Sequence, residues 1–146
     1  MEHLDFDEPS GLAAREQRVM RELWMIGAAG ALGAMSRYGV TLFAERYSQS
    51  SWPVGTLVAN LLGCLLLGLV MEGLQLRDAV SRELGLALTV GFLGAFTTFS
   101  TFGHETVRLF ERGAGGLALA YVALSVIAGC GLCFAGVKLA RTLWAA

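Results

Sequence analysis

The chain has 146 residues, 55% of them hydrophobic and 16% charged, and its mean hydropathy is +0.58. A soluble domain of this length can hardly bury so much apolar surface, and long apolar runs between short charged joints are the membrane pattern. The formal net charge of −1 points to no nucleic-acid partner.

Met1 to Glu22 is polar, with Glu2, Asp5, Asp7 and Glu8 ahead of Arg15, Arg18 and Arg21. Its first part reads as a disordered tail. From Pro9-Ser10 onward it can form an amphipathic helix lying on the membrane. Four apolar runs of spanning length follow, 23–44, 53–71, 84–102 and 115–137, each near the ~20 residues that cross ~30 Å of hydrocarbon. The first is too long for a signal-peptide core. Charged joints separate them: Glu45-Arg46 with Ser48 to Ser51, then Glu72 to Glu83, then His104 to Gly113. Pro53 suits a first helical turn. Trp24, Tyr47, Trp52 and Trp144 stand at run ends, where amphipathic rings prefer the headgroup level. The expected architecture is an all-α membrane protein with four transmembrane helices and both ends on one side. Residues 1–22 form a polar tail and residues 23–146 a single membrane domain.

Small residues repeat along each run: Gly27, Gly30 and Gly33; Gly55, Ala59 and Gly63; Ala87, Gly91 and Ala95; Ser125, Gly129 and Cys133. Such stripes let helix backbones approach in lipid, where dispersion contact replaces the hydrophobic effect. Four helices of this length leave little room for a water-filled pore within one subunit, so a conduction path favours a dimer. Cys64, Cys130 and Cys133 all fall in apolar runs and read as small hydrophobes. No nucleophile–base pair or metal cluster stands in the sequence, so no enzyme is expected.

Polar residues inside the runs are few. Arg37, two turns before the end of the first, either reaches lipid headgroups or draws an anion or braces a neighbour. Asn60 lies in the middle of the second, with Thr56 one turn earlier. Its amide either bonds a neighbouring helix or donates an N–H to a passing anion. Tyr121 and Ser125 form an i, i+4 pair of hydroxyls in the fourth. Glu105 lies near one membrane face, where a solvated charge would be ordinary.

The third run is the most unusual. Thr97 to Phe102 packs four hydroxyls and two phenyl rings into six positions. Hydroxyls compete with the helical ladder for backbone groups. Either they bond back to the preceding turn of an intact helix, or the helix breaks near the midplane and leaves carbonyls for an ion. Phe99 and Phe102 sit at i, i+3 on one face. Two such rings usually pack, but here they alternate with hydroxyls, and a ring edge carries partial positive charge that can face a small anion.

These residues also carry a resemblance. "GALGAMSRY" from Gly30 to Tyr38, "GTLVANLLGCLLLG" from Gly55 to Gly68 and "GFLGAFTTFSTFGHE" from Gly91 to Glu105 resemble the signatures of the CrcB/Fluc fluoride channels, in that family's order. The resemblance implies a homodimer of four-helix subunits inserted antiparallel (dual topology), with two fluoride pores along the subunit interfaces. It implies pore-lining roles for Phe99 and Phe102 and anion coordination by Asn60. Thr56, Thr98, Tyr121 and Ser125 would belong to or border a polar track, with Arg37 near the vestibule and Glu105 close to the pore. Backbone carbonyls of Gly94 and Thr97 would hold a structural Na+ ion on the dimer axis. The implied function is passive export of cytosolic fluoride across the bacterial inner membrane, protecting against fluoride toxicity. Ala95 stands where many members have glycine, and Gly129 where the family can carry a hydroxyl. Lys and Arg divide seven to three in favour of the side holding the termini, a bias toward cytoplasmic ends. The alternative reading is a proton-coupled secondary transporter similar to the small multidrug resistance proteins. Those carry an acid in the first helix, and 23–44 has none.

Overall fold

The computed structural model describes residues 11–48, 52–77 and 80–144, and every regular element among them is helical. Helix α1 is Gly11–Tyr47 and α2 is Val54–Leu76. A third rod begins with α3, Arg82–Leu86, widens into a π-helix over Ala87–Leu93, and ends its first half with α4, Gly94–Phe96. After a two-residue break, α5 runs Phe99–Glu111, and α6 is Gly115–Trp144. Residues 1–10, including the predicted tail and Pro9-Ser10, lie outside the described residues.

Several boundaries differ from expectation, each for a physical reason. The polar stretch from Gly11 to Glu22 and the first apolar run are one continuous helix. At 1.5 Å per residue α1 is about 55 Å long, well beyond the ~20 residues that ~30 Å of hydrocarbon requires. Arg21 and Glu22 explain what holds that end in place. Arg21 pairs with Glu83, and Arg82 Nε lies 3.2 Å from Glu22 Oε1, so α1 and the start of α3 are joined by crossed ion pairs. Pro53 is the N-cap of α2, one position earlier than a first-turn residue. The expected joint from His104 to Gly113 is instead mostly helix, because its charged residues fall on one face of α5 while Leu109 is buried. Gly113 ends it at φ 74°, the left-handed conformation that suits glycine, with Gly113 N donating to Phe110 O and Ala114 N to Leu109 O.

Among the described residues, Val54–Leu76, Arg82–Glu111 and Gly115–Trp144 are long and apolar enough to cross a membrane. Helix α1 exceeds the length, but Ser36, Arg37 and Tyr38 interrupt its apolar run. It packs against the π-helix, α4 and α2, while α2 and α6 make the most extensive helix pair. The α2–α6 approach depends on reciprocal glycines: a Cβ on Gly68 would collide with the Cys133 carbonyl, and one on Gly136 with the Leu65 carbonyl. The small-residue stripe of α2 is buried at Gly55, Ala59 and Gly63, whereas Gly27 of α1 is exposed, with open space where a Cβ would stand. Leu57, Leu109, Ala118 and Tyr121 form a buried apolar cluster, with Trp52 and Phe102 packed on it.

Candidate ion pathway at the helix break

The third rod breaks at Thr97 (φ −93°, ψ 157°) and Thr98 (φ −150°, ψ 118°), both extended. The hydroxyls at the break act in different directions. Thr97 Oγ1 donates back to Leu93 O at 3.0 Å, closing the first half. Thr98 Oγ1 accepts from Thr101 N at 3.3 Å, capping α5, and donates to Thr101 Oγ1 at 3.0 Å. Of the two readings of this hydroxyl-rich stretch, the broken helix is the one found.

The break redirects backbone groups. In an unbroken helix Thr98 N–H would bond the Gly94 carbonyl. Here it donates to Asn60 Oδ1 at 2.8 Å, while Asn60 Nδ2 donates to Thr98 O at 3.1 Å. Thr101 N–H, which would reach the Thr97 carbonyl, goes to the Thr98 hydroxyl. The Ala95 carbonyl, which would bond Phe99 N–H, accepts Arg37 Nε at 3.2 Å. Arg37 therefore braces a neighbour from α1, on a half-buried side chain. The Gly94 and Thr97 carbonyls are left by their usual donors. They are hard, neutral oxygen ligands suited to a hard cation.

Beside the break is a cavity of about 330 Å³ whose lining includes Asn60, Gly94, Thr97, Thr98, Phe99, Phe102 and Ser125. Thus seven of the residues singled out in the sequence meet at one place. Phe99 and Phe102 present tilted rings with centroids 5.7 Å apart. Phe102 is partly buried against Tyr121, 5.1 Å away, but Phe99 is 84% exposed. Apart from its contact with Phe102, its ring is open.

Toward one end of the bundle, Glu105 accepts from Thr56 Oγ1 at 2.7 Å and from Tyr121 Oη at 2.8 Å. Both donors are buried, at 4% and 0% exposure, so Glu105 turns inward instead of standing as a solvated surface charge. Its carboxylate lies between two smaller cavities, about 280 Å³ bordered by His104 and Arg108 and about 200 Å³ bordered by Thr41 and Thr56. Phe102, in contact with Tyr121, joins this cluster to the one at Asn60. Arg37 lines none of these three cavities. Sequence reasoning missed Thr101 as partner of the cap, and Gly63, whose missing side chain admits Thr97; Gly63 belonged to a visible stripe, but nothing in the sequence identified its partner.

The family described as "CrcB-like protein, Camphor Resistance (CrcB)" matches residues 24–137. The chain belongs to the CrcB family. Among its relatives, the fluoride-specific ion channel FluC of Citrifermentans bemidjiense is 43% identical over 124 residues, covering 85% of this chain and 100% of the relative. The protein of the same name from Dehalococcoides mccartyi is 41% identical over 124 residues, 85% of this chain and 95% of the relative. That of Agrobacterium fabrum is 39% identical over 125 residues, 86% and 100%. In this CrcB-family chain Ala95 lies within α4, ahead of the extended residues Thr97 and Thr98, and its side chain does not prevent the break. Gly129 is buried against α2, where an added Cβ would lie 3.4 Å from Cys64 Sγ. The family match leaves the residues before Trp24 outside it.

Proposed function

We propose that the protein is a fluoride-selective ion channel that lets fluoride leave the cytosol passively across the membrane. The observation that carries this reading is the wall of the cavity at the break, where two phenyl rings, an amide and hydroxyls converge without a cationic side chain. Fluoride is small and strongly hydrated, so a pore must replace its water with many weak donors that still release it. Ring edges of Phe99 and Phe102 offer partial positive charge. Asn60 has two amide hydrogens and commits one to Thr98 O, which leaves the other for the anion. Ser125 and the Thr98 hydroxyl border the same track, and Thr56 and Tyr121 continue it to Glu105. Arg37 braces the break at the Ala95 carbonyl and places positive charge beside it, outside the cavity wall. Membership of a family whose relatives are named fluoride-specific ion channels supports the assignment.

The working unit in this proposal is an antiparallel, dual-topology homodimer in a bacterial inner membrane, with α1 as the fourth span. The 84% exposure of Phe99 supports a second copy: a ring meant to face an anion in lipid needs a wall opposite it. The carbonyls of Gly94 and Thr97 would hold a structural Na+ ion at the subunit interface, where it supplies fixed positive charge and joins the two copies.

The test compares Phe99→Ile and Phe102→Ile with the wild type as initial fluoride efflux per folded protein. Volume-conserving apolar swaps usually cost less than ~1.5 kcal/mol in packing, so a merely space-filling pair tolerates them. The proposal expects folded variants with strongly reduced flux. Wild-type flux in both would demote the rings to packing.

A further inference from the structure

Asn60 stands in the middle of α2, yet both hydrogen bonds of its amide go to one peptide unit of another rod. Oδ1 accepts Thr98 N–H at 2.8 Å and Nδ2 donates to Thr98 O at 3.1 Å. The side chain therefore occupies both backbone groups of the residue that caps the start of α5. In an unbroken helix Thr98 N–H belongs to the Gly94 carbonyl. Deep in lipid a backbone N–H must be satisfied by protein, so the acceptor at position 60 and the Gly94 carbonyl compete for one hydrogen.

We infer that Asn60 is the positioning residue that keeps the third rod broken: its oxygen withholds the Thr98 N–H from Gly94 and so leaves that carbonyl free. The same side chain then serves both ions. Its oxygen opens the carbonyl on the cation side, and its uncommitted amide hydrogen remains for the cavity shared with Phe99 and Phe102. Arg37 gives the arrangement a second support, since it holds the Ala95 carbonyl away from Phe99 N–H. Remove the acceptor at position 60 and the nearest way to satisfy Thr98 N–H is to heal the helix. Thr97 and Thr98 then leave their extended conformation, and the Phe99 and Phe102 rings rotate with α5. The inference rests on the fluoride-channel reading only where it speaks of flux; the claim about the backbone stands apart from it.

Two substitutions separate acceptor from donor. Asn60→Val removes both, whereas Asn60→Asp keeps an oxygen for Thr98 N–H and loses the donated hydrogen. The readout is solid-state NMR of the threonine Cα and Cβ shifts in lipid vesicles, which distinguish extended from helical backbone at Thr97 and Thr98. Unfolding midpoints with and without sodium are measured alongside. The wild type and Asn60→Asp should both show extended shifts at these residues and a sodium-dependent rise in midpoint. Asn60→Val should show helical shifts at both and no sodium response. Asn60→Asp should also lose fluoride flux with the break intact. Extended shifts in folded Asn60→Val would assign the break to the Thr97 and Thr98 hydroxyls and overturn the inference. If Asn60→Val does not fold, Asn60→Leu, close to Asn in shape and likewise without an acceptor, takes its place: helical shifts support the inference and extended shifts overturn it. A wild type without fluoride flux would sink the channel reading while leaving the backbone result to stand on its own.

Discussion

Replacing Gly63 with alanine tests how tightly the break is held against α2. A Cβ at position 63 would fall within the Thr97 Cγ2 methyl, 3.5 Å from Phe96 Cδ1 and 3.6 Å from Thr97 Cβ. Only the methyl collides; the rest of Thr97 stands at ordinary contact distance. The clash can be relieved by pushing the backbone apart, and overpacking of this kind costs about 1–3 kcal/mol. It can also be relieved by rotating Thr97, which takes its hydroxyl from Leu93 O and forfeits about 0.5–1.5 kcal/mol. These are alternatives and the cheaper one sets the cost, so we expect Gly63→Ala to destabilise by about 0.5–1.5 kcal/mol. Thr97→Ser removes the methyl and keeps the hydroxyl. In the Gly63→Ala background it should recover at least half of the loss, a coupling within the range of about 0.5–3 kcal/mol seen for residues in contact. Denaturant unfolding in micelles measures the four corners of the cycle. Gly63→Ala within about 0.5 kcal/mol of wild type, or no recovery on adding Thr97→Ser, would refute the reasoning.

Three further outcomes are expected. Tyr121→Phe and Thr56→Val each leave Glu105 with one donor fewer, and each should cost about 1.5–3 kcal/mol as a lost bond to a charged group; equilibrium unfolding that shows neither loss would mean Glu105 is solvated after all. Arg37→Gln should weaken the sodium-dependent rise in unfolding midpoint, because the Ala95 carbonyl loses the guanidinium that holds it; an unchanged sodium response would remove Arg37 from the break. Replacing sodium by a bulky organic cation should shift elution of the purified protein from dimer toward monomer, and identical elution in both buffers would argue against an interfacial sodium ion.

The break was legible in the sequence because hydroxyl density there exceeds what an apolar helix needs, and Asn60, Phe99 and Phe102 stood out as misfits in a lipid-compatible run. Their meeting at one cavity depends on how the helices pack, and the sequence pointed to it only through the family resemblance. Other features had no local signal. The π-helix over Ala87–Leu93 arises in residues that read as ordinary apolar helix. The partner of Asn60 depends on how α2 lies against the break, a tertiary fact that composition cannot encode. Glu105 looked like a surface acid because its two hydroxyl donors lie 49 and 16 residues away in sequence. The charged stretch after Phe102 reads as a joint by hydropathy, yet it continues as helix because its apolar and charged residues alternate at helical spacing. Helix α1 shows the reverse case: Arg37 lowers the hydropathy of its apolar run while supplying a structural bond inside the bundle.

The central claim is that this bundle conducts fluoride through a ring-and-hydroxyl track without coupling to protons. The most direct measurement is efflux from vesicles containing only this protein, followed with a fluoride electrode and, in parallel, a chloride electrode, at equal pH on both sides. Rapid fluoride efflux down its gradient and no detectable chloride efflux are expected. Comparable chloride efflux, or fluoride efflux that appears only when a pH gradient is imposed, would contradict it.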